Sequence, residues 1–409
     1  MDQSMEIDYP KKIMISYFIE KKWKYLAPIL NIMPDGLLKI AARGFVEIQK
    51  QELTGKKLPK RAVFFITDKC NLRCKHCFYI PNIAPKPEMS FEQIEKLAHS
   101  AKNNLKQITF TGGEPFLRDD FQDIVLTFAE NGCEIINIST NGTFLEKIES
   151  FLKNILAKTR VKLIFILSVD GPESIHDGIR GVPGSFEKTL KTIALLSGYK
   201  QKYPDRFINI FVSTSINRLN MAYLPEIINR VKSLKDIGHE FNFTRSAILH
   251  TLGVPRECLS GFDVNCDIVL NTDEMKKIFA YLEKEAWGTN NNTLTALINR
   301  QRMIEIIRIL SPFGRCPEGT EKKPSALACP AGKTELVIYP EGDVGICEML
   351  KPLGNLKETD HDLIKFYEKY RRQFQAKKSC SCTHDCNITA SIRLSPQSLV
   401  EIAKRKKAW

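Results

Sequence analysis

A short apolar run, Ala62-Val63-Phe64-Phe65-Ile66-Thr67, leads straight into Cys70-Asn-Leu-Arg-Cys74-Lys-His-Cys77, and no other stretch constrains the chain as much. The run is aromatic and β-branched and predicts a strand. The three thiols therefore sit on the loop at a strand's carboxyl end. A cubane iron–sulfur cluster takes four ligands, cysteines in the common cases. Three of them leave one iron with an open position. Open metal sites carry catalysis, whereas closed ones are structural. A zinc knuckle, or three cysteines that merely pack, are the plainer readings. The paired C-x2-C…C-x2-C spacing expected of zinc is missing, which favours the cluster.

From about residue 61 short apolar strands alternate with helical stretches, the pattern of parallel βα units. Strands are predicted at 62–67, 107–111, 134–138, 161–169, 207–214 and 239–244. Helices are predicted near 90–104, 119–131, 143–158, 185–200 and 223–236, with Ser90 and Gln93 as a capping box for the first. Thr111-Gly112-Gly113-Glu114-Pro115 follows the second strand, Ser139-Thr140-Asn141-Gly142 the third, and Asp170-Gly171-Pro172 the fourth. In βα barrels the reacting groups collect where strands end and loops begin. These sequence-distant groups are thus expected on one rim. Further helices are expected near 273–287 and 294–310, with Asn290-Asn291-Asn292 as the turn between them.

Bulk properties suit an enzyme. The 409 residues are 43% hydrophobic and 26% charged, enough for a large core split over two domains. No stretch approaches about 18 consecutive apolar residues, which argues against a transmembrane helix. Asp2, Glu6 and Asp8, with no cleavage-like site after a long apolar run, argue against a signal peptide. Twelve cysteines then read as metal ligands in a reducing cytosol, so a cytoplasmic protein is expected. The net charge of +13 gathers at Lys21-Lys22-Trp23-Lys24, Lys56-Lys57, Lys60-Arg61 and Lys404-Arg405-Lys406-Lys407. Such clusters are solvated faces or bind anions. No nucleic-acid-binding module accompanies them, so an RNA or DNA partner is not expected.

Together these motifs resemble the radical S-adenosylmethionine (SAM) superfamily, whose defining loop is C-x3-C-x-aromatic-C, with His76 in the aromatic slot. The Gly112-Gly113-Glu114-Pro115 turn resembles the family's GGEP motif, and Ser139-Thr140-Asn141-Gly142 its ribose-side motif. Leu167-Ser168-Val169-Asp170-Gly171-Pro172, His176-Asp177 and Arg180-Gly181 resemble the subset with a SPASM or twitch extension. The resemblance implies an α/β fold, a partial (βα)6 barrel over 61–290. An N-terminal helical extension (1–60), a helical linker (291–315) and a small C-terminal α+β Cys-rich SPASM/twitch-like domain (316–409) complete it. It also implies that Cys70, Cys74 and Cys77 hold a [4Fe-4S] cluster whose open iron takes the amino and carboxylate groups of SAM. A low-potential donor of the flavodoxin or ferredoxin type would reduce it. Reductive cleavage then gives a 5′-deoxyadenosyl radical that abstracts substrate hydrogen. Gly112 and Gly113 would let the backbone approach SAM, and Glu114 would accept from its ammonium. Ser139 and Asn141 would reach its ribose or carboxylate, Arg180 its carboxylate, and Tyr79 its adenine. Asp170 joins this cofactor-binding set.

The resemblance extends to a second cysteine field. Cys329, Gly342 and Cys347 fit the C-x(9–15)-G-x4-C opening of SPASM and twitch domains, and Gly354-Asn355-Leu356 also resembles them. The segment between the two thiols reads as a hairpin with a Pro-Glu-Gly-Asp turn. A full SPASM domain ends in C-x2-C-x5-C-x3-C plus one more Cys, whereas this chain has only Cys380, Cys382 and Cys386. With Cys316 these make six cysteines, enough for one auxiliary [4Fe-4S] cluster with two to spare. A second cluster would need Cys258 and Cys266, a non-cysteine ligand or an open iron. A zinc site on His384 and three cysteines is the alternative, and Cys133 is expected to be a core thiol. Glu348, directly after Cys347, is the candidate proton acceptor, as in some SPASM enzymes. A solvated or capping glutamate is the plainer reading.

Leu37, Leu38, Ala41, Phe45 and Ile48 recur at helical spacing, with Lys39, Arg43, Glu47 and Lys50 facing elsewhere. Ile13, Met14, Tyr17 and Phe18 do the same earlier. These helices either pack on the barrel or, with Trp23 and Tyr25 among lysines, lie on a membrane surface. SPASM and twitch enzymes mostly modify peptides or proteins, others sugars or nucleosides. The expected substrate is therefore a peptide, protein or small molecule, with a membrane lipid as the rival. A multi-cluster electron carrier is the non-enzymatic reading, but it has no use for a SAM pocket.

Overall fold

A computed structural model describes residues 29–404 apart from 31, 55–56, 80–86, 247–250, 253, 262–263, 288–293, 312–326 and 377–380. Helix α1 (Asp35–Leu53) comes first. Strands β1 (Arg61–Thr67), β2 (Gln107–Gly112), β3 (Ile135–Thr140), β4 (Lys162–Ser168), β5 (Phe207–Ile216) and β6 (Gly238–Phe243) then pair in parallel and in chain order. Between them run α2 (Phe91–Ser100), α3 (Phe121–Glu130), α4 (Leu145–Lys158), α5 (Glu173–Arg180), α6 (Ser185–Lys202) and α7 (Leu224–Lys232). This is the partial (βα)6 barrel. Ser90 and Gln93 form the expected capping box on α2.

Alternation along the strands separates two layers. Phe64, Phe110, Ile138 and Phe165 occupy matched register positions on the face under the helices. Phe110 meets Phe121 of α3 edge to face at 5.3 Å, and Phe121 stacks on Phe151 of α4 at 5.6 Å. Truncating such a ring, Phe110→Ala, costs about 3–5 kcal/mol. The intervening positions are polar: Asn137 donates to Thr109 Oγ1 at 3.0 Å and Asn242 to Ser213 Oγ at 3.0 Å.

The remaining elements are β7 (Thr251–Leu252), α8 (Thr272–Glu285), α9 (Leu294–Leu310), β8 (Glu335–Ile338), β9 (Asp343–Gly345) and β10 (Gly354–Asn355). They end with α10 (Leu363–Lys369), α11 (Arg371–Gln375), β11 (Ser381–Cys382), α12 (Asp385–Arg393) and α13 (Pro396–Lys404). The predicted hairpin is β8–β9, and it does something the sequence did not announce. Strand β8 pairs in parallel with β1, from Arg61↔Glu335 to Phe64↔Ile338, so the described sheet runs β10-β9-β8-β1-β2-β3-β4-β5-β6. An ion pair, Arg61 Nη2 to Glu335 Oε2 at 2.7 Å, closes the seam.

Helix α1 packs on α13, with Leu38, Ala42 and Val46 against Leu399, Val400 and Ala403, while its Phe45 also meets the main core. Leu37 and Ala41, expected on the packing face, are exposed, because one narrow helix covers only part of a broad apolar arc. No helix among the described residues is long and apolar enough to cross a membrane. The Asn290 turn and residues 1–28 lie outside the described residues.

Candidate active site

The cysteine loop leaves β1 and is locked by three neighbours. Glu88 Oε1 accepts from Thr67 Oγ1 at 2.7 Å and from the Asp68 N–H at 2.9 Å. The Gly112-Gly113 turn lies against the loop's first residues: Gly113 N–H donates to Thr67 O and Glu114 N–H to Lys69 O, both at 2.8 Å. A Cβ on Gly113 would fall 1.9 Å from Lys69 O, and one on Gly112 2.5 Å from Thr67 O. The approach that demands these glycines is therefore by the cysteine loop's own backbone, a constraint the SAM-based expectation did not contain. On the other side Arg73 and Lys75 N–H donate to Arg180 O and Ile179 O at the end of α5.

Cys70, Cys74 and Cys77 are all partly exposed and line a cleft of about 290 Å³ together with Ser139, Asn141 and Arg180. Burial pushes the Cys70 thiol up to about 11, against the Leu72 N–H, with Glu114 and the other two thiols adding. Cys74 Sγ accepts from Arg180 Nη1 at 3.6 Å. Among the described residues no three His, Cys, Asp or Glu side chains converge on one ion-sized point. A cubane spreads its ligands over separate irons, so three soft thiols around an open cleft fit it. The buried Asn242 Oδ1, without a partner, lies on the same cleft and fits a polar cofactor or substrate there.

Two residues expected near SAM are engaged with the protein. Glu114 is fully buried and does not line the cleft: Oε1 accepts from Phe116 N–H at 3.2 Å and Thr140 Oγ1 at 2.8 Å, Oε2 from Asn141 N–H at 2.8 Å. Burial raises it to about 7 against these donors. It ties the second strand's turn to the third's. Asp170 is also fully buried, its Oδ1 accepting from Ser215 N–H at 3.0 Å and its Oδ2 paired with Arg180 and 3.8 Å from His76 Nε2. Burial opposes the charge, but Arg180, then His76 and His176, hold the carboxyl below its ordinary range. Arg180 thus bridges Asp170 to the Cys74 thiol. Burial lowers His76 itself to about 4 despite Asp170, so it is neutral at pH 7.

Tyr79, Ser139 and Asn141 do line the cleft. The Tyr79 hydroxyl donates to Asp68 Oδ1 at 2.5 Å, and its ring lies 4.6 Å from Phe65. Asn141 Nδ2 donates to Asn71 Oδ1 at 2.8 Å, joining the third strand's turn to the cysteine loop.

Residues 64–241 match the radical SAM superfamily, and residues 329–387 match SPASM, an iron–sulfur cluster-binding domain. The chain belongs to the radical SAM superfamily. It is 28% identical over 307 residues to the antilisterial bacteriocin subtilosin biosynthesis protein AlbA of Bacillus subtilis, covering 75% of this chain and 58% of that one. It is 30% identical over 239 residues to the sporulation killing factor maturation protein SkfB of the same organism, covering 58% and 52%. The chain thus spans little more than half the length of these curated relatives. In fold it resembles Streptococcus suis SuiB bound to the precursor peptide SuiA, with TM-score 0.54, 16% identity and 91% and 84% of the two chains covered. It also resembles anSMEcpe with bound AdoMet, with TM-score 0.53, 18% identity and 85% and 100% covered.

In the SPASM region of this radical SAM protein, Cys329 is half-buried before β8 and Cys347 is buried just after β9. Cys382 lies on β11 and Cys386 in the first turn of α12. Cys316 and Cys380 lie outside the described residues. Cys258 and Cys266 are exposed, and Cys133 is the expected core thiol, 4% exposed. Glu348 is neither solvated nor a cap. It is buried between Arg245 and His384, whose Nε2 lies 2.8 Å from Oε1. Burial raises its pKa, but His384 and then Arg245 outweigh this and hold it at about 2. His384 Nδ1 accepts from Asn387 N–H at 3.3 Å as the N-cap of α12, so Nε2 carries the proton and donates to Glu348. Both ring nitrogens of His384 are thus engaged within the protein.

Sequence reasoning missed Arg245. It follows β6, lines the cleft and reaches Glu348. The strand-end rule applied to the sixth strand, as it was to the first four, points at Asn-Phe-Thr-Arg245.

Proposed function

We propose that this protein is a radical SAM enzyme that modifies a peptide. The observation that carries the reading is the three-thiol loop, without a fourth cysteine, at the mouth of a polar cleft. Cys70, Cys74 and Cys77 would hold a [4Fe-4S] cluster and the cleft SAM; bound there, they supply reductive cleavage of SAM to a hydrogen-abstracting 5′-deoxyadenosyl radical. The protein's own work is placement. Glu88, Gly113 and the carbonyls of Ile179 and Arg180 fix the loop, Arg180 presents a permanent positive charge beside Cys74, and Asn141 joins the loop to the third strand. Cys329, Cys347, Cys382 and Cys386, with Cys316 and Cys380, would supply the auxiliary cluster's ligands. A flavodoxin- or ferredoxin-type protein would deliver the electron.

The peptide substrate is supported by the relatives' names, a bacteriocin biosynthesis protein and a killing-factor maturation protein, and by SuiB with its precursor peptide. A heme synthase of Nitratidesulfovibrio vulgaris, 29% identical over 40% of this chain, favours a small molecule less strongly. A peripheral membrane contact belongs to the same proposal, because the large apolar side chains exposed among the described residues all fall on the amino-terminal segment. The test is anaerobic 5′-deoxyadenosine formation from SAM with dithionite, with and without candidate precursor peptides. Product formed faster with one peptide, and a mass change on that peptide, support the reading; no product under any condition overturns it.

A further inference from the structure

We infer that a cavity of about 330 Å³ beside β6 is a second docking site for the substrate peptide, taking one apolar side chain and hydrogen-bonding the backbone that carries it. The inference deepens the peptide reading above and rests on it. Strand β6 is the last strand of the described sheet. Just past it, Thr244 N–H bonds back to Ile216 O, so the even-numbered residues face β5 and the backbone of His239 and Phe241 faces outwards. Arg302 of α9 covers the outward Phe241 carbonyl at 3.0 Å. Two residues earlier on the strand and one turn earlier on α9, the cavity opens between His239 and Asn299. An outward strand backbone is a template for an added chain.

The side chains select the occupant. Phe211, Ile228, Phe241 and Trp287 make the walls apolar. Asn299 is only 8% exposed, and its carboxamide has no hydrogen-bond partner in the described structure. It offers a buried donor and acceptor, the complement of a peptide unit. Thr214 Oγ1 gives its own proton to Val169 O at 2.7 Å and therefore accepts from His239 Nε2 at 2.9 Å. That leaves His239 Nδ1 as an acceptor on the cavity side, and burial, lowering the ring to about 3, keeps it neutral. Lys232, the cation on the described lining, already donates to Glu285 O at 2.5 Å. Nothing here balances a phosphate or a carboxylate, which excludes a nucleotide, a free amino acid and a fatty acid. An uncharged peptide unit with an apolar side chain satisfies every group. At the other end of the same strand Asn242, Thr244 and Arg245 line the catalytic cleft, about 20 Å from Gly238. One extended stretch of about six residues spans the two sites.

The test is a saturation-transfer NMR titration of the full-length protein with N-acetyl-L-leucinamide, compared with N-acetylglycinamide and adenosine. The leucinamide is expected to bind at millimolar concentration, with the strongest transfer to its methyl groups, and the glycinamide at least about tenfold more weakly. Asn299→Leu should weaken the leucinamide by about fivefold to tenfold without lowering the melting temperature, because a carboxamide with no partner adds no stability. Ala296→Trp fills the cavity and should abolish binding. No binding of the leucinamide, equal binding of the glycinamide, or unchanged binding in either variant overturns the inference. So does a loss in Asn299→Leu that comes with a lowered melting temperature. Displacement of the leucinamide by adenosine overturns it too, because a nucleobase would then be the occupant. Binding is read without SAM or reductant, so it stands or falls independently of the radical chemistry.

Discussion

Cys70, Cys74 and Cys77 come from eight consecutive residues of one loop, whereas Cys329, Cys347, Cys382 and Cys386 come from separate segments spread over the last hundred residues. The first set is held by backbone: Thr67, Lys69, Arg73 and Lys75 are all bonded through main-chain atoms, and two glycines make the approach possible. In the second set the β8–β9 hairpin joins Cys329 to Cys347, and side-chain charge joins the hairpin to the tail, with Glu348 between Arg245 from the barrel and His384 from the cysteine-rich tail. A backbone lock tolerates no added atom. A charge lock depends on pH and can be weakened one partner at a time.

The sharpest break between the two regions is expected from cysteine variants. Cys74→Ala should reduce anaerobic 5′-deoxyadenosine formation to background while iron remains bound at the far end. Cys347→Ala should leave SAM cleavage intact and abolish peptide modification. Equal loss in both would mean the two sites are not separable.

Glycine variants test the backbone lock next. Gly113→Ala forces a Cβ to 1.9 Å from Lys69 O and should destabilise by at least about 3 kcal/mol, read by denaturant melts. Gly342→Ala in the hairpin turn, at φ +93° with Met89 Sδ 3.3 Å away, should cost about 1–3 kcal/mol.

The charge lock predicts a pH dependence. Glu348 is held at about 2 against an ordinary 4.5. Its stabilisation is therefore fully present above 4.5 and is lost as pH falls towards 2, up to roughly 3 kcal/mol. Arg245→Met should remove much of that acid-side slope in thermal melts between pH 6 and pH 3; an unchanged slope would place the acid sensitivity elsewhere. His384→Ala should flatten the same slope at least as much as Arg245→Met, because His384 is the first of the two partners that hold Glu348 down, with SAM cleavage unaltered.

Most of the barrel was legible because strand and helix periods are local, and the observed strands begin and end within two residues of the predicted ones. The rim was legible for the same reason: each motif follows a strand. The pairing of β8 with β1 was not, since Arg61 and Glu335 are 274 residues apart and neither edge carries a sequence mark. The Arg245–Glu348–His384 set was hidden likewise, its first link spanning 103 residues. Gly112 and Gly113 were found as a motif, but the close approach of the cysteine loop's own backbone was not, because a sequence does not say which backbone passes close. For α1, the width of the apolar arc was visible, but not which third of the helix α13 would take.

The proposed function requires an open iron at the Cys70–Cys74–Cys77 loop, and electron paramagnetic resonance of the reduced Cys347→Ala protein tests it most directly. Adding SAM should shift the signal of the cluster at this loop, and Cys74→Ala should remove that SAM-sensitive signal. A spectrum indifferent to SAM would contradict the open site and, with it, the proposed function.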